Sequence, residues 1–314
     1  MIYIKELNDG DRISGIYYCK TKINAVTKNG KSYGNLVLSD KSGSVDAKVW
    51  EPNSPAIGEY EAGDYVDIVG EVSIYNGSKQ VSVKRLRKAD ETEYNIRDYV
   101  PHSRYSADEM YKALMDSANK VENPYLKALI NKFFVDDEEF IRKFKTSSAA
   151  KSIHHAFAGG LLEHTFGVVR LCYYYTRVYP YLKADLLLTA AMFHDIGKVT
   201  ELSPFPQNDY TDDGQLLGHI SIGVEMIHDA VKEIDGFPPV LESELKHCIL
   251  SHHGELEFGS PKKPATAEAL ALSLADLTDA RIETMREILD SPPEGVTWLG
   301  YNKVMETNIR ITTT

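Results

Sequence analysis

The hydrophobic pattern of this chain changes period once, near residue 90, and that change limits the folds open to it. Up to residue 88 the apolar residues come in short alternating runs broken by turn residues: "RISGIYYCKTKINAV", "KNGKSYGNLVLSD", "SGSVDAKVWE" and "GDYVDIVGEVSIYNGSKQVSVKRLRK". A period of two belongs to half-buried strands. Asn29-Gly30 and Asn76-Gly77 stand between such runs, and Asn-Gly is the strongest short-range hairpin signal because both residues accept positive φ. Five strands are expected, at 12–26, 32–39, 44–50, 64–75 and 79–87, with a short helix in the connector 52–62. From residue 106 the period becomes helical. Ser106 and Glu109 have capping-box spacing, Pro124 suits a helix start, and "DDEEF" offers an acidic first turn. Helical patterns then cover 160–178, 183–196, 219–234, 241–253 and 265–289.

A three-strand meander, a connector and a hairpin are the parts of a five-stranded OB-fold barrel. The expected fold class is therefore multidomain, an N-terminal all-β barrel followed by an all-α helical bundle. At 314 residues the chain exceeds the usual size of a single core. Residues 1–90 are assigned to the barrel, 91–150 to a linker and connecting helices, and 151–314 to the main helical domain with a C-terminal tail. That tail, "WLGYNKVMETNIRITTT", receives no role.

Apolar residues make up 43% of the chain and charged ones 26%, an ordinary globular mixture. No run reaches the length of a membrane span, and "MIYIKELNDGDR" lacks the apolar stretch of a secretory signal. The three cysteines, Cys19, Cys172 and Cys248, are far apart and suit a reducing compartment better than a disulfide framework. A cytoplasmic location is expected. The net charge is −11, yet residues 1–90 carry 13 Lys and Arg against 12 Asp and Glu. The whole negative excess thus lies beyond the barrel, which leaves room there for a local basic patch.

Within the helical part, chemistry-bearing residues collect at helix ends. "GGLLEHT" places His164 one turn into a helix; "HDIGK" follows an apolar run with His194 and Asp195; "GHISIG" opens a helix with His219; "SHHGE" closes one with His252 and His253. "LSLADLTDAR" puts Asp276 on an apolar helical face, where a carboxylate is costly unless paired or ligating a metal. A helix terminus alone would explain Gly197, as the residue after the C-cap, and Lys198, as a partner of the dipole. It would not explain the His-Asp pair. Imidazoles and carboxylates together ligate first-row divalent metals. His164, His194, Asp195 and Asp276 can fill one site, and His219, His252 and His253 a second, with Asp195 bridging. Two ions ~3.5–4 Å apart clamp the attacking and leaving oxygens of a phosphoryl displacement, and facing helices of a bundle can supply such ligands.

The ordered set H…HD…H…HH…D resembles the HD-domain metallophosphohydrolases in their two-metal form. With the preceding barrel and the stretches "SIHHAFAGGLLEHT", "AAMFHDIGKVTEL", "GHISIG" and "LSHHGELEFGSP", nearly the whole chain is similar to the YhaM-type 3′→5′ exoribonucleases. That resemblance implies metal ligands at His164, His194, Asp195, His219, His252, His253 and Asp276, all present here. It also implies two divalent ions, manganese first, with cobalt, iron or magnesium as alternatives. The implied substrate is single-stranded RNA taken from its 3′ end, with single-stranded DNA as a second candidate.

Around this set, Asp195 is the expected catalytic centre. Lys198 is placed to hold a phosphate or stabilise developing charge. His155, or its neighbour His154, is placed to touch the phosphate or protonate the leaving oxygen. Glu163 and Glu201 are assigned supporting or surface places, and His102, His228 and His247 structural ones. On the barrel, Tyr33, Trp50, Tyr75, Lys84, Arg85 and Arg87 mix rings with cations, as single-strand binders do. A homo-oligomer is allowed, and "CYYYTRVYPYL" is read as a helix packing its tyrosines into the bundle or into a subunit interface. The competing readings are a nucleotide or cyclic-dinucleotide phosphohydrolase, disfavoured by "HHGELEFG" where such enzymes carry Gly-Tyr-Pro, and a non-catalytic RNA-binding protein, disfavoured by the complete ligand set.

Overall fold

The computed structural model describes residues 1–27, 29–151, 155–290, 292 and 295–312. The chain divides into two compact units, residues 1–102 with 204–207, and residues 103–203 with 208–314.

The first unit is a closed barrel of β1 (Arg12–Val26), β2 (Ser32–Asp40), β3 (Gly43–Val49), β4 (Tyr65–Tyr75) and β5 (Ser78–Lys88). Their order around the barrel is β1-β2-β3-β5-β4. β3 and β5 run parallel, with Asp46 beside Gln80, and the other neighbours are antiparallel. This is the five-stranded OB-fold expected from the sequence. Alternation decides the register: Leu36 and Leu38 of β2 face inward opposite Ala47 and Val45 of β3, and all four are buried. A slip of one residue would turn each of them to solvent. The β4–β5 turn has Asn76 at φ 49° and Gly77 at φ 80°, the positive values a tight hairpin needs.

The connector departs from expectation. Residues 52–62 hold turns and a single bridge, Ile57 beside Leu86, in place of a helix. Pro52 and Pro55 remove backbone donors, and Gly58 N–H is committed to the Leu86 carbonyl at 2.7 Å. Beyond β5 the chain is fastened to the barrel through rings: Tyr94 stacks on Tyr65 with centroids 3.9 Å apart, and Tyr99 donates its hydroxyl hydrogen to the Ile16 carbonyl at 3.0 Å.

The second unit holds α1 (Ala107–Ala118), α2 (Pro124–Phe134), α3 (Glu138–Thr146), α4 (Gly160–Val178), α5 (Ala184–Phe193), α6 (Lys198–Glu201), α7 (Asp212–Leu216), α8 (Gly218–Lys232), α9 (Pro239–Leu250) and α10 (Ala267–Leu289). Ser106, Asn123, Asp137, Thr211 and Thr266 each cap a helix by accepting a backbone N–H. In α5 every side chain from Leu186 to Phe193 is buried, so the helix is central and α4, α9 and α10 pack around it. Phe134 meets Phe144 and Phe193 edge to face at 5.2 and 5.4 Å, tying α2, α3 and α5 together. The tail is a hairpin of β6 (Trp298–Asn302) and β7 (Thr307–Arg310). Its turn is made by Asn302, whose Oδ1 accepts from Val304 and Met305 N–H at 2.9 Å.

Candidate active site

The histidines arrive from four segments around the end of α5, and a carboxylate from a fifth. His164 lies on α4, His194 and Asp195 in the turn between α5 and α6, His219 at the start of α8, His252 and His253 just after α9, and Asp276 on α10. The turn is tight because Gly197 lets α8 approach. A Cβ at Gly197 would stand 2.1 Å from the His219 carbonyl oxygen. Gly197 has φ −62°, a right-handed value, and stands immediately before α6, three residues beyond the His194 C-cap of α5, so space calls for glycine here.

All five imidazoles are oriented the same way. Each Nδ1 faces an acceptor: Asp279 Oδ2 at 2.8 Å for His164, the Ala191 carbonyl at 2.8 Å for His194, Glu201 Oε1 at 3.0 Å for His219, the Ile249 carbonyl at 2.7 Å for His252 and the Phe258 carbonyl at 2.9 Å for His253. A carbonyl or carboxylate can only accept, so Nδ1 carries the hydrogen and the Nε2 of each neutral ring has a lone pair, the Nε2 of His164 doing so once its second proton has left. Those lone pairs converge. Nε2 of His164 is 3.1 Å from Nε2 of His194 and 3.1 Å from Asp276 Oδ1. Asp195 Oδ1 lies 3.4 Å from His219 Nε2 and 3.6 Å from His252 Nε2, and Asp195 Oδ2 lies 3.4 Å from His194 Nε2.

Such a cluster fits cations. Asp195 Oδ1, His219 Nε2 and His252 Nε2 are buried atoms with no hydrogen-bond partner, an arrangement that costs free energy unless an electrophile sits among them. His164, His194 and Asp276 place one ligand atom each within 4.8 Å of one another, and so do His219, His252 and His253. Burial opposes charging His164, but the hydrogen bonds to Asp276 and Asp279 outweigh it and push the imidazole up to about 10. A proton thus occupies the position that a metal would take, and metal binding releases it. Burial likewise works against the Asp195 carboxylate, yet Lys198 and His194 hold it well below the usual range. Burial and the neighbouring His253 keep His252 neutral, as ligation requires.

The seven residues that the sequence offered as ligands therefore meet in one place, with Lys198 Nζ on Asp195 Oδ2 at 2.7 Å. His155 does not join them. It is buried beside His164 with Nε2 on Asp279 Oδ2 at 3.0 Å, where the sequence reading had it touching a phosphate or a leaving oxygen. His154 lies outside the described residues. Asp279 escaped the sequence reading, although its i,i+3 spacing from Asp276 puts both on one helical face. Glu201, assigned there a supporting or surface place, is buried and accepts from both Nδ1 and the backbone N–H of His219. His228 pairs with Glu242, and His247 accepts from the Ala265 N–H.

On the barrel, Tyr33 and Trp50 stack at 5.3 Å with Trp50 half exposed, and the Lys48 ammonium stands 5.4 Å from the Tyr33 ring centre. The Lys48 ammonium also donates to Asn35 Oδ1 at 2.5 Å. Tyr75 is exposed at the β4–β5 turn, and Lys84 is exposed at the strand irregularity opposite Val69 and Gly70. Arg85 and Arg87 are already engaged: both pair with Asp67, at 3.4 and 3.0 Å, and Arg87 also makes two bonds to Glu93.

Comparison with known proteins agrees with both units. Residues 161–281 match the HD domain, and residues 18–89 match the OB-fold nucleic acid binding domain. Fold and site together define a metal-dependent phosphohydrolase of the HD class joined to an OB-fold domain. The chain is 33% identical to the 3′-5′ exoribonuclease YhaM of Bacillus subtilis and 32% identical to that of Bacillus velezensis, in each case over 91% of this chain and 90% of the relative. It belongs to the YhaM family of 3′→5′ exoribonucleases. Among solved structures, the second OB-fold domain of replication protein A from Methanococcus maripaludis matches 29% of this chain and 95% of its own, at 22% identity and a TM-score of 0.23. Among the described residues no helix is long and apolar enough to cross a membrane.

Proposed function

We propose that this protein degrades single-stranded RNA from the 3′ end, with single-stranded DNA as a second substrate, by hydrolysing the terminal phosphodiester at a site for two divalent ions. The observation that carries this reading is the convergence of five Nε2 lone pairs and two carboxylates, including an Asp195 oxygen that receives no hydrogen bond. His164, His194 and Asp276 would hold one ion and His219, His252 and His253 the other, with Asp195 shared. Two such ions, manganese first and cobalt, iron or magnesium as alternatives, supply Lewis acidity at the phosphate and lower the pKa of the attacking water.

The chain's own groups do the rest. Burial of the imidazoles keeps the site at low dielectric, which strengthens each charge interaction within it. Lys198 places an ammonium beside Asp195, in position to hold a non-bridging phosphate oxygen as charge builds in the transition state. Tyr33 and Trp50 offer stacked rings for bases, and Lys48 and Lys84 offer cations for phosphates. Loss of the 3′-oxygen as leaving group yields nucleoside 5′-monophosphates. Chromatography of the products from a homopolymer RNA tests this: 5′-monophosphates support the reading. Turnover of cyclic dinucleotides or mononucleotides with intact RNA would replace it.

A further inference from the structure

The two candidate metal triads share one feature beyond their ligands. In each, one imidazole is held by a carboxylate and the rest by backbone carbonyls. His164 donates Nδ1–H to Asp279 at 2.8 Å, and His219 donates to Glu201 at 3.0 Å, whereas His194, His252 and His253 all donate to main chain. A carboxylate on the far nitrogen fixes the tautomer and makes the near nitrogen a stronger ligand than a carbonyl does. We propose that Asp279 and Glu201 are positioning residues, one for each ion. Asp279 sets the ion held by His164, His194 and Asp276; Glu201 sets the ion held by His219, His252 and His253.

Each carboxylate is itself held in place. Asp279 Oδ2 accepts a second bond from His155 Nε2 at 3.0 Å, which gives that buried histidine its place in the site. Its other oxygen lies against α4 at Gly167, where a Cβ would come within 2.0 Å of Oδ1. The glycine thus lets α10 deliver a carboxylate to the back of His164. Glu201 Oε1 also accepts the backbone N–H of His219 at 3.0 Å, so one oxygen holds both the ring and the first turn of α8. Neither carboxylate contacts the ligand nitrogens, and their effect passes through the imidazole.

The assignment rests on the two-ion reading proposed above, and one titration separates the two. Metal-stripped full-length protein is titrated with Mn²⁺ by calorimetry, and bound metal is counted after dialysis. Wild type should bind two ions. Asp279→Asn should weaken one of them ~10–100-fold and leave the other unchanged, and Glu201→Gln should do the reverse; Asp279→Glu should restore part of the loss. Two ions bound by either variant with wild-type affinity, or both weakened equally by either substitution, would overturn the assignment. A wild type that binds fewer than two ions would overturn the two-ion reading and the assignment with it. If a variant fails to fold, ¹⁵N-histidine spectra of the Zn²⁺-loaded wild type decide instead. His164 and His219 should be protonated at Nδ1, with those protons shifted downfield of the three carbonyl-bonded ones. An unprotonated Nδ1 on either, or the absence of that shift, would overturn it.

Discussion

Lys198 Nζ lies 2.7 Å from Asp195 Oδ2, while the other oxygen of the same buried carboxylate receives no hydrogen bond. One face of Asp195 is thus neutralised by the chain and the other is left for a cation. Without metal, Lys198 is the nearest full positive charge to a carboxylate that is only 2% exposed.

Replacing Lys198 by Met should therefore act twice. Breaking a buried ion pair by removing one partner costs about 3–5 kcal/mol, and the metal-free variant should melt correspondingly lower. Saturating Mn²⁺ should narrow the gap in melting temperature, since a cation then balances Asp195. Single-turnover cleavage should fall ~10²–10³-fold. Equal melting temperatures without metal would show that the ion pair does not stabilise the site.

Gly197→Ala should destabilise the helical unit by about 1–3 kcal/mol through overpacking, because the added Cβ meets the His219 carbonyl, a backbone atom that cannot swing aside. Metal binding should weaken with it, as His219 and Asp195 are pushed apart. Chemical denaturation and Mn²⁺ titration of the same variant check both halves.

On the barrel the residues should divide by their existing partners. Trp50→Ala should cost about 1–3 kcal/mol of single-stranded RNA affinity, the usual worth of one stacked base. Arg87→Ala should change affinity far less, since that guanidinium already serves Asp67 and Glu93. Binding measured at several salt concentrations, with metal withheld, compares the two. A larger loss for Arg87→Ala would contradict the pairing seen here.

Alkali should loosen both units. Burial pushes Tyr17, Tyr65 and Tyr111 up to about 12 from an ordinary value of 10.0. The group is neutral when protonated, so a raised folded-state pKa contributes stability below the unfolded value. That contribution is lost as pH rises from about 10 to about 12. Melting temperature should fall across that window together with a rise in tyrosinate absorbance. Tyr17→Phe, which also removes a hydroxyl donor to the Ile2 carbonyl at 2.8 Å, should lower stability at pH 8 and flatten the alkaline decline.

The seven clustered candidate residues were legible because histidines and carboxylates at the ends of apolar helices are costly without a shared purpose. The strands were legible because alternation and Asn-Gly turns are local signals. What stayed hidden depends on contacts distant in sequence. His155 looks like a loop histidine beside the site until Asp279, 124 positions later, takes its Nε2. Arg87 looks like a free cation until strand pairing sets it opposite Asp67. The β6–β7 hairpin lacks an Asn-Gly signal, its turn being made by the Asn302 side chain. In the connector, where a short helix was expected, Pro52 and Pro55 were in plain view and the bridge of Ile57 to Leu86 was not.

The most direct measurement uses metal-stripped protein resupplied with Mn²⁺ and a 5′-labelled single-stranded RNA, with Asp195→Asn alongside. The expected result is a ladder that shortens from the 3′ end in wild type and is absent in the variant. RNA that binds but stays intact with every divalent metal, or a ladder unchanged by Asp195→Asn, would contradict a metal-dependent exonuclease centred on that carboxylate.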